Sequence, residues 1–400
     1  MSSSDAPGAR KRLPAAIIAL GFTSFFTDVG TEMIFPLLPA FVASLGAAPA
    51  FLGLVEGLAD ATSSLLKLAS GFIADKRRKK PFVLAGYGVA AVARPLVALA
   101  TAPWHVLAVR LTDRVGKGIR SAPRDALIAN SVDKAEAGRA FGFHTAMDHA
   151  GAVCGPLIAT LLLALGWQLR SVFWFALLPG ALAFAMLLTV RETPASPAAD
   201  VGTSTPGAQA ALPKSLTRYL AILALFSLGN SSDAFLLLRA RELGVQVVAI
   251  PVLWAVFHIA KVVSSHFGGS WSDRVARSKL IVGGWGVYAL TYLAFGVARQ
   301  SWQVWALFVV YGVYYGLTEP AEKALVRDLA PPSSRARAYG FYNFIVGAAA
   351  LPAGLLTGWL WQTWSPRVAL GCGAGLAGVS AAALLLWTPA GASPHEAANI

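Results

Sequence analysis

The residues able to do chemistry in this chain are ionisable side chains set in apolar sequence. Asp28 and Glu32 stand four residues apart, on one face of a helix, and Asp28 falls near the midpoint of its apolar run. Glu56, Asp60, Ser63 and Lys67 follow i, i+4, i+7, i+11 spacing, which draws one polar stripe along a helix. A third cluster comprises Arg110, Asp113, Arg114, Lys117, Arg120, Arg124 and Asp125. His144 and Asp148 are again four apart, with His149 adjacent. The second half offers Asn230, Asp233, His258, Lys261 and Glu319, so titratable groups concentrate in the first half. An ionisable group at membrane depth is costly, which makes each a candidate for carrying a proton or holding a polar substrate. Asp28, Glu32, Asp60, His144 and Asp148 also offer oxygen and nitrogen ligands for a divalent cation, although no spacing among them fixes a site. The parts of an enzyme are missing: there is no nucleophile beside a base and no H-E-x-x-H motif, and no cofactor is expected.

The elements that position these groups follow from composition. Of 400 residues, 56% are hydrophobic and 13% charged, and the mean hydropathy of +0.60 is that of a chain living mostly in lipid. Twelve apolar runs, each long enough to cross a hydrocarbon core about 30 Å thick, predict twelve transmembrane helices. The first covers 14 to 43 and the last 366 to 388. The net charge of +13 would suggest a nucleic-acid partner in a soluble protein, but here the cations sit in alternate loops. Arg10 to Arg12, Lys76 to Lys80, Arg139, Arg191, Arg274, Arg277, Arg335 and Arg337 fall on one side, with few opposite. This positive-inside asymmetry places both termini in the cytoplasm and excludes a nucleic-acid role. Cys154 and Cys372 lie inside predicted spans and read as packing residues. The first apolar segment, long and interrupted by Asp28 and Glu32, reads as a membrane helix and not a cleavable signal.

A Pro, Ala, Ser and Gly-rich stretch divides the chain. The expected organisation is an N-terminal tail (1–13), a first six-helix bundle (14–191), a cytoplasmic linker (192–216), a second bundle (217–388) and a C-terminal tail (389–400). The halves repeat at a displacement of 198 positions: Gly71 to Asp75 matches Gly269 to Asp273, and Arg139-Ala-Phe-Gly-Phe143 matches Arg337-Ala-Tyr-Gly-Phe341. Six helices per half give both halves the same orientation in the bilayer, one of the known transporter plans.

Gly71-Phe-Ile-Ala-Asp75-Lys76-Arg77-Arg78, with its weaker copy Gly269-Ser-Trp-Ser-Asp273-Arg274, resembles the G-x-x-x-D-[RK] signature of the major facilitator superfamily. Arg78 stands where that signature has its second glycine. The resemblance implies a loop motif that locks one access state. Gly151-Ala-Val-Cys-Gly155-Pro156 is similar to the family's motif of proton-coupled exporters, without its trailing glycine pair, and reads equally as a packing hinge. Arg114, Lys117 and Gly118 resemble the family's R-x-x-q-G element, with lysine in place of glutamine. The resemblance makes Arg114 a partner of proton-binding carboxylates, while Arg110, Asp113 and Arg114 could instead satisfy one another as a structural cluster.

The implied function is secondary transport of a small molecule by alternating access, with protons and the lipid bilayer as the other partners. The membrane is a bacterial inner membrane and the protein a monomer by default. The leading reading is proton-coupled export, with Asp28, Glu32, Asp60 and Arg114 in proton coupling and Asp28 taking and releasing the proton. Its structural alternative is a permanent pair of Asp28 with Lys67, Arg94 or Arg114. The substrate cavity is expected from Glu56, Arg110, His144, Asp148, Asn230, Asp233, Lys261, Tyr311 and Tyr315. Alternatives are uptake of an anionic metabolite or chelate, countered by Arg110, Arg114 and Lys261, or divalent metal transport.

Overall fold

The computed structural model describes residues 13–75, 78–132, 137–192, 212–272, 275–331 and 335–387. They form twelve long helices: α1 (Ala15–Ser44), α2 (Pro49–Asp75), α3 (Lys80–Leu99), α4 (Pro103–Asn130), α5 (Ala137–Ala164), α6 (Leu169–Thr189), α7 (Lys214–Glu242), α8 (Ile250–Ser272), α9 (Arg277–Val297), α10 (Ser301–Leu329), α11 (Arg335–Thr363) and α12 (Pro366–Leu386). With an even number of crossings, α1 starts and α12 ends at the same face, called here the terminal face. Turns at the opposite face are tight, and Gly46, Gly166 and Gly244 take φ of 85°, 86° and 88° there. Such left-handed backbone favours glycine because a Cβ would clash. Gly46 and Gly244 are themselves repeat mates.

Nine of the twelve helices are apolar enough over a long window to qualify as membrane spans on composition alone. The other three are α2, α4 and α10, the helices that carry Glu56, Asp60 and Lys67, the 110–125 charges, and Glu319 and Glu322. Their polar stripes turn inward, and side chains such as Val92, Leu161, Leu165, Leu290 and Leu385 cover the outer surface of the bundle. Trp104, Trp167, Trp302 and Trp364 are exposed near helix ends at the opposite face, where an amphipathic ring suits a headgroup layer. Tyr311 and Tyr314 of α10 do not join such a belt: they are buried and stacked on each other, and they meet the stacked pair Tyr288 and Tyr292 edge-on or tilted in the core of the second half.

The sequence repeat is a packing repeat. A Cβ at Gly86 of α3 would lie 2.6 Å from Cβ of Arg120 on α4, and one at Gly284 of α9 would lie 2.4 Å from Thr318 on α10. Gly118 packs on Leu66 as Gly316 packs on Ser264, again at the 198-residue offset. Small residues let these backbones approach closely without help from the hydrophobic effect.

Towards the opposite face the halves meet backbone to backbone, where α2 lies against α11. A Cβ on Gly53 would fall 2.0 Å from the Gly354 carbonyl oxygen, one on Gly57 2.7 Å from Leu351 Cα, and one on Gly358 2.6 Å from Ala50 Cα. On this side Phe35 and Glu32 of the first half also meet Trp254 of the second, so the molecule is shut at the opposite face.

Helix breaks in α1 and α7 shape the interior. Pro36 places a 3-10 turn, Phe35–Leu37, inside α1. In α7 the helix stops at Gly229 and resumes at Ala234, leaving Asn230 to Asp233 outside regular structure. The Gly229 carbonyl freed by this break accepts from the Tyr288 hydroxyl at 2.9 Å, which meets the need to satisfy backbone groups at membrane depth.

Candidate functional site

Between the halves lies a cavity of about 880 Å³, lined from Glu32, Phe35 and Trp254 at its deep end to Lys67, Arg124, Asp125 and Gly340 near the terminal-face ends of α2, α4 and α11. It therefore opens to the terminal face.

Of the residues singled out in the sequence, Asp28, Glu32, Glu56, Asp60, Arg114, Asp148, Asn230, Asp233 and Tyr315 line this cavity. Four expected cavity residues stand behind its wall. Arg110 is buried and clamps Glu56 bidentately, Nε to Oε1 at 3.1 Å and Nη2 to Oε2 at 2.7 Å, with its guanidinium over the Phe35 ring. His144 is buried with Nδ1 3.5 Å from Asp148. Tyr311 donates from behind to Asp233 at 2.6 Å. Lys261 lies 4.1 Å above the Tyr315 ring and 3.9 Å from Glu319.

The alternative in which Arg110, Asp113 and Arg114 satisfy one another is not what forms. Each has a partner on a different helix: Arg110 with Glu56, Asp113 with Arg94 at 2.8 Å, and Arg114 with Asp60 at 3.8 Å. The reason is helical geometry. Positions 110 and 114 face α2, while 113 faces α3, whose 3-10 turn begins at Arg94. Arg94 also donates to the Thr27 carbonyl at 2.9 Å, tying α3 to α1.

Asp28 differs from these acids. No hydrogen bond or ion pair reaches its carboxylate among the described residues; Arg94 and Arg114, two of its expected partners, are engaged elsewhere, and Lys67 lines the cavity without pairing to it. Lys117 and Arg120 are the cations that act on it electrostatically, alongside the like charges of Asp148 and Glu32. The Gly151 and Gly155 pair fixes its place. A Cβ on Gly151 would lie 2.5 Å from the Phe25 oxygen and 3.0 Å from Asp28 Cβ, and one on Gly155 2.5 Å from the Val29 oxygen. The segment read as an exporter-like motif is thus the seat of the helix that carries Asp28, with Pro156 inside α5 just beyond it. Gly151→Val is expected to force α5 off α1 and cost roughly 1–3 kcal/mol, as overpacking does. Its thermal unfolding midpoint in detergent should fall clearly below that of wild type; an unchanged midpoint would mean the contact is slack.

Asp233, in the α7 break, holds the second-half wall. Tyr311 and Tyr315 both donate to it, the latter at 3.3 Å to Oδ2. Around it Asn230, Ser231, Ser232 and Asn343 offer uncharged hydrogen-bonding groups. At the deep end, Glu32 of α1 accepts from Trp254 Nε1 of α8 at 2.7 Å. Sequence reasoning passed over Glu322, which is buried and accepts from Trp285 at 3.1 Å and Tyr342 at 2.8 Å. Its signal was available, since an acid so near the end of an apolar run needs donors if it turns inward. Among the loop-motif residues, Gly71 and Asp75 fall within α2 and Gly269 within α8. Lys76, Asp273 and Arg274 lie outside the described residues.

Known proteins resemble this chain over nearly its whole length. The family profile of the Major Facilitator Superfamily matches residues 20–238 and 219–399. An uncharacterized MFS-type transporter of Methanocaldococcus jannaschii is 35% identical over 383 residues, covering 94% of this chain and 95% of the relative. Multidrug resistance protein MdtH of Photorhabdus laumondii is 26% identical over 353 residues, 86% of each. A crystal structure of a bacterial homolog of the human lysosomal transporter Spinster, in an inward-facing and occupied conformation, superposes with a TM-score of 0.74 at 15% identity, over 94% of this chain and 98% of that one. Twelve helices in two repeated bundles around a polar cavity, a match to the family over both halves and relatives of the same length make this multi-pass membrane protein, a secondary transporter and not an enzyme, a member of the major facilitator superfamily.

Proposed function

We propose that the protein is a proton-coupled exporter of a small molecule, an antiporter in which Asp28 carries the proton. The observation that supports this most is the unpaired state of Asp28 in a cavity whose other first-half acids each face a partner: Glu56 and Asp125 are paired with Arg110 and Arg124, Glu32 accepts from Trp254, Asp60 lies 3.8 Å from Arg114 and Asp148 lies 3.5 Å from His144. A carboxylate in a tight ion pair resists protonation, whereas an unpaired one exposed to alternating faces takes and releases a proton more readily. With the termini in the cytoplasm of a bacterial inner membrane, as the loop charges suggest, the cavity is open inward and ready to release that proton and take up cargo. Resemblance to the multidrug resistance proteins favours the outward direction for the cargo.

A second reading, proton-coupled uptake of an anionic substrate, is favoured by one feature. Lys67, Lys117 and Arg120 line the cavity with no carboxylate at ion-pairing distance among the described residues. Arg114 and Lys261, the other expected counter-charges, are already engaged.

The two readings separate in expressing cells given a panel of dyes, antibiotics and organic anions, with and without a protonophore. The export reading expects lower accumulation of at least one compound, reversed by the protonophore. Higher, protonophore-sensitive accumulation of an anion would replace it by the uptake reading.

A further inference from the structure

The hydrogen bond from Trp254 to Glu32 has a place in the molecule that its distance alone does not convey. It is a side-chain hydrogen bond between the two halves, joining positions 222 apart in sequence. It lies at the closed end of the cavity. His258, one turn along α8 from Trp254, brings Nε2 to 3.9 Å from the same Glu32 oxygen, and both its ring nitrogens are buried without a hydrogen bond. The Phe35 ring packs on Trp254 at 5.2 Å. When the opposite face opens, α1 and α8 must separate and this cluster must break.

We propose that Glu32, Trp254 and His258 form the latch that holds the opposite face shut, and that the charge on Asp28 sets the strength of that latch. Glu32 sits one helical turn from Asp28 on the same cavity-facing side of α1. Hydrogen bonds to an ionised carboxylate are about twice as strong as those to a neutral group. When Asp28 is protonated, Glu32 bears the charge alone and the bond to Trp254 is tight. When Asp28 is ionised, two like charges stand one turn apart. That strain is relieved if Glu32 takes a proton or turns away, and either weakens the latch.

Other charged groups facing the cluster come from every neighbouring helix. Arg110, Arg114 and Lys117 of α4 act on Glu32, Lys261 of α8 and His149 of α5 act on His258, and Glu56 of α2 is already neutralised by Arg110. The cations of α4 steady the ionised form of Glu32 in both states, so the change on cycling comes from Asp28. The sign is the one an antiporter needs: the proton-loaded carrier favours the closed opposite face and presents its cavity at the terminal face. The coupling to Asp28 rests on the proton role proposed above; the latch does not.

Ser44 at the opposite-face end of α1 and Gln246 in the turn between α7 and α8 are exposed, one on each half, and suit spin labels. In a Cys154→Ser, Cys372→Ser background, labels at Ser44→Cys and Gln246→Cys would be followed by pulsed electron paramagnetic resonance in lipid nanodiscs between about pH 5 and about pH 8. The closed, short-distance population should grow on acidification. Trp254→Phe keeps the ring and loses the donor, and should lower the closed-to-open ratio about tenfold. Glu32→Gln should lower it as well and remove most of its pH response. Asp28→Asn should hold the closed population high at every pH. Wild-type distance distributions in both Trp254→Phe and Glu32→Gln, with each protein monodisperse, would overturn the latch. A latch-defective Trp254→Phe beside an Asp28→Asn protein that still responds to pH as wild type would overturn the coupling and leave the latch standing.

Discussion

Asp28→Asn is expected to reduce transport driven by a pH gradient to background in proteoliposomes while leaving the fold intact. Asparagine matches the carboxylate in size and cannot take or release a proton, so only the coupling step is removed. Asp28 makes no hydrogen bond or ion pair among the described residues, so no partner is orphaned. The change in stability should stay within about 0.5 kcal/mol, as for substitutions away from special features. Gradient-driven flux and thermal unfolding of the same preparation check this together. Uphill transport by the Asn protein would remove Asp28 from coupling, and a large fall in unfolding midpoint would show a structural role instead.

The second large effect is expected at Glu56 and Arg110. Both are buried, and their bidentate contact leaves neither with a free role in the cavity. Glu56→Leu would strand a buried guanidinium, and breaking such a pair from one side costs about 3–5 kcal/mol. The double variant Glu56→Leu, Arg110→Met removes both charges and should recover most of that loss, because a well-packed apolar pair is close to neutral relative to a buried ion pair. Unfolding midpoints of the single and double variants in detergent test the expectation. A double variant as unstable as the single one would mean that Arg110 is held by more than Glu56. A stable double variant without transport would return Arg110 to the substrate path.

What was legible in the sequence follows from the reach of each signal. Helix number depends on local apolar length, and the repeat on a fixed offset, so both could be read from one chain. The offset even carried into three dimensions, in the matched turns at Gly46 and Gly244 and the matched contacts of Gly86 and Gly284. The polar stripe of α2 was legible because spacing fixes a helix face, and that face does line the cavity at Glu56, Asp60, Ser63 and Lys67. Partner choice was not legible. It depends on how each helix is rotated against its neighbour, and successive residues differ by about 100°. Arg110 and Arg114 share a face of α4, yet one turn separates a guanidinium closed off behind Glu56 from one lining the cavity. Glu32 and Trp254 come from different bundles, so nothing local announces their bond. Tyr311 and Tyr315 were assigned to one wall, but the helix turn between them puts Tyr315 on the cavity and Tyr311 behind Asp233.

These assignments give the cavity a division of labour. The ion pairs of Arg94, Arg110 and Arg114 join α2, α3 and α4, and the hydrogen bond from Arg94 to the Thr27 carbonyl ties in α1; in the proposed account the α7 break offers neutral polar groups to the cargo and Asp28 is left to titrate. The central claim is that proton and cargo move in opposite directions. It is tested most directly in proteoliposomes holding a pH-sensitive dye, loaded with the compound identified in the cell panel and given a transmembrane cargo gradient. The account predicts proton flux opposite to cargo flux in wild type and none above leak in Asp28→Asn. Proton flux in the same direction as the cargo, or cargo flux with no proton movement, would contradict it.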